Sequence, residues 1–200
     1  MEWTENNIAR ALALQIMDRR CLVMVPNCNW TGHECDVLGV TKDLRVIDFE
    51  VKISRADLKV DAKKEKWWIR RFQGWSEPHE TVLNGRPVIN YRSPIYDNQA
   101  QHWPPKVWKH YYVLPAEIWK DELLQALPSP ASGVILLDEW RGEVRATIKR
   151  QAKPNREAKP IDAAAAVDLA RLASLRMWSV LQTQERAARR KTKALQPAQT

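Results

Sequence analysis

No apolar run in these 200 residues approaches the roughly 20 needed to span a bilayer. The opening Met1-Glu2-Trp3-Thr4-Glu5 is acidic and polar, unlike the basic-then-apolar layout of a secretory signal. Cysteine is scarce and odd in number: Cys21, Cys28 and Cys35. An odd count without an export signal argues against a disulfide framework. Their spacing, with His33 nearby, also lacks the close cysteine pairs of compact zinc sites. Buried free thiols are the expectation. There is no internal repeat and no heptad pattern. These absences point to a cytoplasmic protein with no membrane partner.

Hydrophobic residues make up 44% of the chain, and the length suffices for one domain with its own core and an appendage. The net charge of +8 is uneven. Residues 150–200 hold eleven Lys/Arg against four Asp/Glu, so the first 149 are close to neutral. A basic tail suits phosphate backbones, whose binding is electrostatic. A solvated helix face with no partner explains the same charge equally well.

Helical spacing of Ile8, Ala9, Leu12 and Ile16 behind a Thr4 cap predicts a helix from Glu5 to about Arg19. Strands are predicted over residues 21–25, 34–40 and 46–52, the first closed by a turn at Pro26-Asn27. A charged helix should follow from about Asp57 to Arg71. Residues 72–108 read as a long loop or a small hairpin insertion turning at Asn84-Gly85, and loops of that length are usually functional. Strands over 110–114, 133–137 and 143–148, with a helix over 116–126, complete an α/β chain built on one mixed sheet flanked by helices. A polar linker over 151–160 leads to a long helix capped by Asp162. The organisation is a core over 1–150, carrying its insertion, and a linker with a basic helix over 151–200.

The candidate chemistry sits on the third strand. Alternation puts Val46, Asp48, Glu50 and Lys52 on one face and Ile47, Phe49 and Val51 on the other. A half-buried strand that turns two acids and a lysine to one side points to chemistry beyond structure. Asp36 on the preceding strand supplies a second carboxylate beside Glu50, while Asp48 is expected at the rim. Magnesium or manganese prefers oxygen ligands from one or two carboxylates. Asp36, Glu50 and the Val51 carbonyl can supply them. Lys52 can orient or deprotonate a water, or offset charge on a phosphate. Glu5 can bind a second metal or hold a metal-bound water; as a first-turn acid it equally suits the helix dipole.

Asp36 followed by Glu50-Val51-Lys52 resembles the signature of the PD-(D/E)XK nuclease superfamily, with Cys35 where that signature has proline. Glu50-Val-Lys-Ile-Ser-Arg-Ala-Asp57-Leu-Lys, then Asp61 and Lys66-Trp67, is similar to the MmcB-like DNA repair proteins. Tyr111-Tyr112-Val113-Leu114-Pro115, residues 133–138 and the turn before Glu143-Val144 are similar to that family's later strands. The resemblance covers about residues 30–180, interrupted near 75–106. It implies a restriction-endonuclease-like core and a metal-dependent endonuclease acting on DNA in repair or processing. Nucleases of this kind often dimerise to cut two strands, so a homodimer is compatible.

Ser54 and Arg55 directly follow the active strand and can hold a neighbouring phosphate, or cap and salt-bridge the next helix. Lys63, Lys64 and Lys66 on that helix, and Arg186, Arg189, Arg190 and Lys191 on the last, can track a backbone. Solvated faces or an oligomer arm are the alternatives. Trp67, Trp68, Trp75, Trp103 and Trp108 gather around the insertion. Exposed aromatics can stack on unpaired bases, worth about 1–3 kcal/mol each, while core packing explains any one of them. Two other functions fit the chain: a non-catalytic DNA-binding or scaffold protein, and a host or phage interaction factor.

Overall fold

A computed structural model describes residues 2–195, with side chains through 190. Thr4 caps α1 (Glu5–Ala11) in a reciprocal capping box with Asn7, satisfying two otherwise free N–H groups. A wider π turn, Leu12–Ile16, ends the helix earlier than its apolar spacing predicts. Met17 closes that turn by donating to the Leu12 carbonyl.

Three antiparallel strands follow: β1 (Cys21–Cys28), β2 (Cys35–Thr41) and β3 (Val46–Val51). β1 runs straight through Pro26, where a turn was expected. The sheet order explains this, because β1 is an edge strand and a proline there need not donate to a neighbour. The three cysteines are buried free thiols.

Ser54 caps α2 (Arg55–Val60) by accepting from the Asp57 N–H. The expected long helix stops there. Two 3₁₀ turns, Asp61–Lys63 and Glu65–Trp67, carry the chain back towards the sheet. The insertion is a two-part antiparallel ribbon. β4 (Trp68–Trp75) pairs with β7 (Pro94–Ala100), and β5 (His79–Leu83) pairs with β6 (Arg86–Tyr91). Its tip is Asn84-Gly85, with φ of 52° and 75°, the pair of positive values that a type I′ hairpin turn requires.

β8 (Lys109–Pro115) returns to the sheet parallel to β3. Two more 3₁₀ turns, Ala116–Ile118 and Asp121–Ala126, replace the predicted helix. β9 (Gly133–Trp140) lies parallel to β8, and β10 (Glu143–Arg150) pairs antiparallel with β9. The six-stranded order is β1-β2-β3-β8-β9-β10, the mixed α/β sheet that the sequence predicts.

Asp162 caps α3 (Ala163–Leu195) through the Ala165 N–H. The first half of α3 packs on β1, with Leu169 and Ile161 buried against Val25, Cys28 and Leu38. The polar linker is bound down as well: Arg45 donates to the Ala158 carbonyl and Asn155 N–H donates to Trp108. No helix among the described residues is long and apolar enough to cross a membrane.

α1 covers one sheet face, where Ile8 and Leu12 join Ile47, Phe49, Val51 and Val113. Each fully buried large apolar side chain there contributes roughly 1.5–3 kcal/mol. The opposite face is covered by the 55–67 segment, with Leu58 and Trp67 against Tyr112, Leu114 and Val134.

Candidate active site

All six residues of β3 are buried, so this is a fully covered strand and not the half-buried one expected. Its apolar side chains face α1. Its acids face the 55–67 segment, together with the residues β8 brings alongside. Asp48 pairs in register with His110, and Glu50 with Tyr112. On the other side, the β2–β3 register ends at Val37 opposite Phe49. One step further sets Asp36 opposite Glu50. The Val51 N–H donates to Asp36 Oδ2 at 2.7 Å, which fixes that carboxylate at the strand ends.

Glu50 is fully buried. It accepts from three lysines: Lys52 at 2.7 Å, Lys66 at 2.5 Å, and Lys64. Lys52 also lies 3.3 Å from Asp61 and 3.6 Å from Asp57. Asp61 is buried in turn and held by the Tyr112 hydroxyl at 2.5 Å and the Trp67 indole N–H at 3.1 Å. Asp48, Glu50 and Asp61 thus balance Lys52, Lys64 and Lys66. Charges removed from water need such pairing, because an unpaired buried ion costs several kcal/mol. Lys64 differs from its two companions: its side chain is 44% exposed, against 3% for Lys52 and 2% for Lys66.

The electrostatics are uneven within this cluster. Burial, then the charge of Glu50, pushes the Asp36 carboxyl up to about 6, against the pull of the Val51 N–H, Lys52 and Lys64. Burial also raises Asp48 to about 6, with Lys66 opposing. For Asp61 burial is outweighed by Lys66, the Tyr112 hydroxyl and Lys52, so its carboxyl stays well below the usual range. His110 is held neutral by burial and by the repulsion of Lys66.

Asp48 has neither carboxylate oxygen in a well-formed hydrogen bond, and His110 Nε2 lacks one too. Lys66 stands 3.5 Å and His110 Nε2 3.8 Å from Asp48 Oδ2. His110 Nδ1 is taken by Ser132 at 3.0 Å. Asp48, Glu50 and His110 each bring one ligand atom within 4.8 Å of the others. Two donor sets therefore share Glu50: Asp36 with the Val51 carbonyl on the side of the strand ends, and Asp48 with His110 deeper in. The first set is all oxygen, as magnesium prefers, and its carboxylates repel each other enough to shift Asp36. Three lysines already stand on the Glu50 carboxylate of that set. The second set has Lys66 already standing as its cation.

The structure brings Asp36, Glu50 and Lys52 together with the backbone of Val51. Glu5 lies exposed in the first turn of α1. Among the described residues it makes no hydrogen bond or ion pair to that group. Ser54 caps α2, and Arg55 donates to the Ile118 carbonyl at 2.6 Å. Lys63 is exposed, whereas Lys66 is buried and Lys64 is tied to Glu50 and Asp61, in place of the open helix face expected for both. Asp48 is buried instead of standing at the rim. In α3, Arg186 and Arg190 are exposed, and Arg189 pairs with Glu185. The side chain of Lys191 lies outside the described residues. Sequence reasoning missed Asp61, His110 and Tyr112 as members of the cluster. Alternation placed Asp48 on the face of Glu50, but the β3–β8 register that delivers His110 and Tyr112 has no local signal.

No family model matches the chain, and no curated protein matches it. Among solved structures, a protein of unknown function from Silicibacter pomeroyi is similar in fold. Its TM-score is 0.51 at 18% sequence identity, over 92% of this chain and 94% of that one.

Proposed function

We propose that the protein is a metal-dependent nuclease that hydrolyses phosphodiester bonds in DNA, using Asp36, Glu50 and Lys52. The observation that carries the reading is the opposition of Asp36 and Glu50 across β2 and β3, with Lys52 Nζ 2.7 Å from Glu50. Simple binding of a polyanion gains nothing from two carboxylates facing it.

Asp36, Glu50 and the Val51 carbonyl would hold Mg²⁺ or Mn²⁺. Such an ion, when bound, polarises the phosphoryl oxygen and lowers the pKa of a water. Asp61, itself fixed by Tyr112 and Trp67, holds Lys52 from the far side. That constraint keeps the ammonium directed at Glu50, where it can orient the attacking water and offset charge on the phosphate. Lys64, the exposed member of the lysine trio, would be the one to give up Glu50 to a divalent cation.

Supercoiled, linear, branched and single-stranded DNA incubated with Mg²⁺ or Mn²⁺ tests this. Cleavage is expected, and Asp36→Asn is expected to abolish it. The asparagine oxygen can still accept from Val51, so the variant should fold. Undiminished cutting by Asp36→Asn would overturn the assignment. A second reading, a non-catalytic DNA-binding protein, draws on one observation: both oxygens of Glu50 already carry lysines. Binding without cleavage of any substrate would favour it.

A further inference from the structure

We propose that one face of the β4–β7 ribbon is a stacking platform for an unpaired nucleic-acid strand. Trp68, Arg70, Phe72, Trp75 and Tyr96 form it. The inference deepens the nuclease reading and rests on it for the choice of partner.

The ribbon projects with both faces open to solvent. Two-stranded ribbons are marginal on their own, and this one carries its large rings outward. Trp68, Arg70 and Phe72 share a face by alternation. Tyr96 lies opposite Phe72 in register. Trp75, three residues beyond Phe72, should fall on the other face. It does not, because the strand bulges between Phe72 and Gly74. Gly74 takes φ of 149°, a region that side chains disfavour. The extra residue turns Trp75 back, so that its ring lies 5.6 Å from that of Phe72, and the Tyr96 ring lies 6.0 Å from Phe72. Arg70 lies 4.6 Å over Tyr96, with Glu65 3.7 Å away. The four rings remain 40–60% exposed.

The bulge gathers rings on one open surface, edge to face at 71° and 69°, and their exposed faces offer planar ligands a place to stack. Charge selects which ones. Lys64 and Lys66 are spent on buried acids, but Lys59, Lys63, Arg70 and Arg71 stand exposed on and beside the ribbon, which suits a phosphate backbone. Unpaired bases expose π faces to such rings, and duplex bases do not. The ribbon root also adjoins the candidate active site. Gln101 donates to the carbonyl of Lys66, whose ammonium touches Glu50. A strand on the platform would therefore run towards Asp36 and Glu50.

The test measures anisotropy of a labelled oligothymidylate, and of a duplex of equal length, with full-length protein in chelator so that no cleavage intervenes. The single strand is expected to bind more tightly. Phe72→Ala and Trp75→Ala should each weaken it roughly 5- to 150-fold, the range for one stacked base. Trp75→Phe should retain most of the affinity. Unchanged circular dichroism would show that the ribbon persists in these variants. Single-strand affinity unmoved by both alanines overturns the platform and leaves the nuclease reading intact. Loss of binding in the alanine variants, from a protein that cuts nothing, supports the platform and sinks the nuclease reading. Absence of binding to either oligonucleotide overturns the platform and gives this face to a protein partner.

Discussion

The two faces of β3 are equally buried and chemically opposite. Ile47, Phe49 and Val51 meet α1 in an ordinary apolar core. Asp48 and Glu50, one residue out of phase, meet lysines, a neutral histidine and Asp61. The apolar face shows that this sheet can be stabilised without charge. Buried ion pairs rarely improve on hydrophobic packing, so the polar face is better explained by chemistry than by folding. The comparison also divides the polar face itself. Asp48 and Lys66 are sealed in, whereas Asp36 and Lys64 reach solvent.

The sharpest way to break this comparison is to make the sealed half apolar. Lys66→Met alone strands Asp48 and leaves Glu50 short of a cation. The expected loss is about 3–5 kcal/mol in urea unfolding, similar to the roughly 3–5 kcal/mol expected for Phe49→Ala on the other face. Asp48→Leu added to Lys66→Met should recover most of that loss, because the cluster is again balanced around Lys52, Lys64, Glu50 and Asp61. A double variant no more stable than Lys66→Met would show that Asp48 and Lys66 do not offset each other's burial.

Next in size is the anchor beneath Lys52. Tyr112→Phe deletes the hydroxyl that Asp61 accepts, and about 1–3 kcal/mol of stability should go with it. Cleavage should fall too, since Asp61 steadies Lys52. A variant that loses stability but cuts at the wild-type rate would confine Tyr112 to the fold.

How much of this was readable beforehand divides along the same line. Alternation in Val46–Val51 identified the two faces, and the pairing of Asp36 with Glu50 followed from adjacent strands. Asn84-Gly85 announced its turn, and Asp162 its cap. What failed depends on tertiary context. Lys63 to Arg71 looks helical by composition, yet Lys66 is drawn onto Glu50 and Trp67 into the core, so the segment becomes a 3₁₀ turn and the start of β4. Pro26 stays in a strand because β1 has a free edge. His110 reaches Asp48 only through a parallel pairing across the whole ribbon, which nothing local encodes.

Proton occupancy gives a further test of the solvent-facing half. The Asp36 carboxyl is raised to about 6 in the fold, so between about pH 4 and 6 the folded state holds a proton that the unfolded chain has released. The metal-free protein should therefore lose stability from this group as pH rises through that window. Metal binding runs the other way, because only ionised Asp36 is a ligand. Mn²⁺ affinity by calorimetry should be roughly tenfold weaker at about pH 5 than above pH 7. Asp36→Asn should bind weakly at both, with the slope removed. An unchanged slope in that variant would assign the proton elsewhere.

The smallest effect is the most discriminating. Lys64 is partly exposed, and solvent screening limits the worth of its ion pairs. Lys64→Ala should therefore cost no more than about 1 kcal/mol of stability. If Lys64 shields Glu50 until a divalent cation arrives, its removal abolishes a competing charge. Mn²⁺ should then bind several-fold more tightly, while Lys66→Ala, which loosens the sealed half, should not share this pattern of small stability loss and tighter binding. Weaker Mn²⁺ binding in Lys64→Ala would mean that the lysine helps to build the site, and the division between a sealed half and an exchangeable half would fall with it.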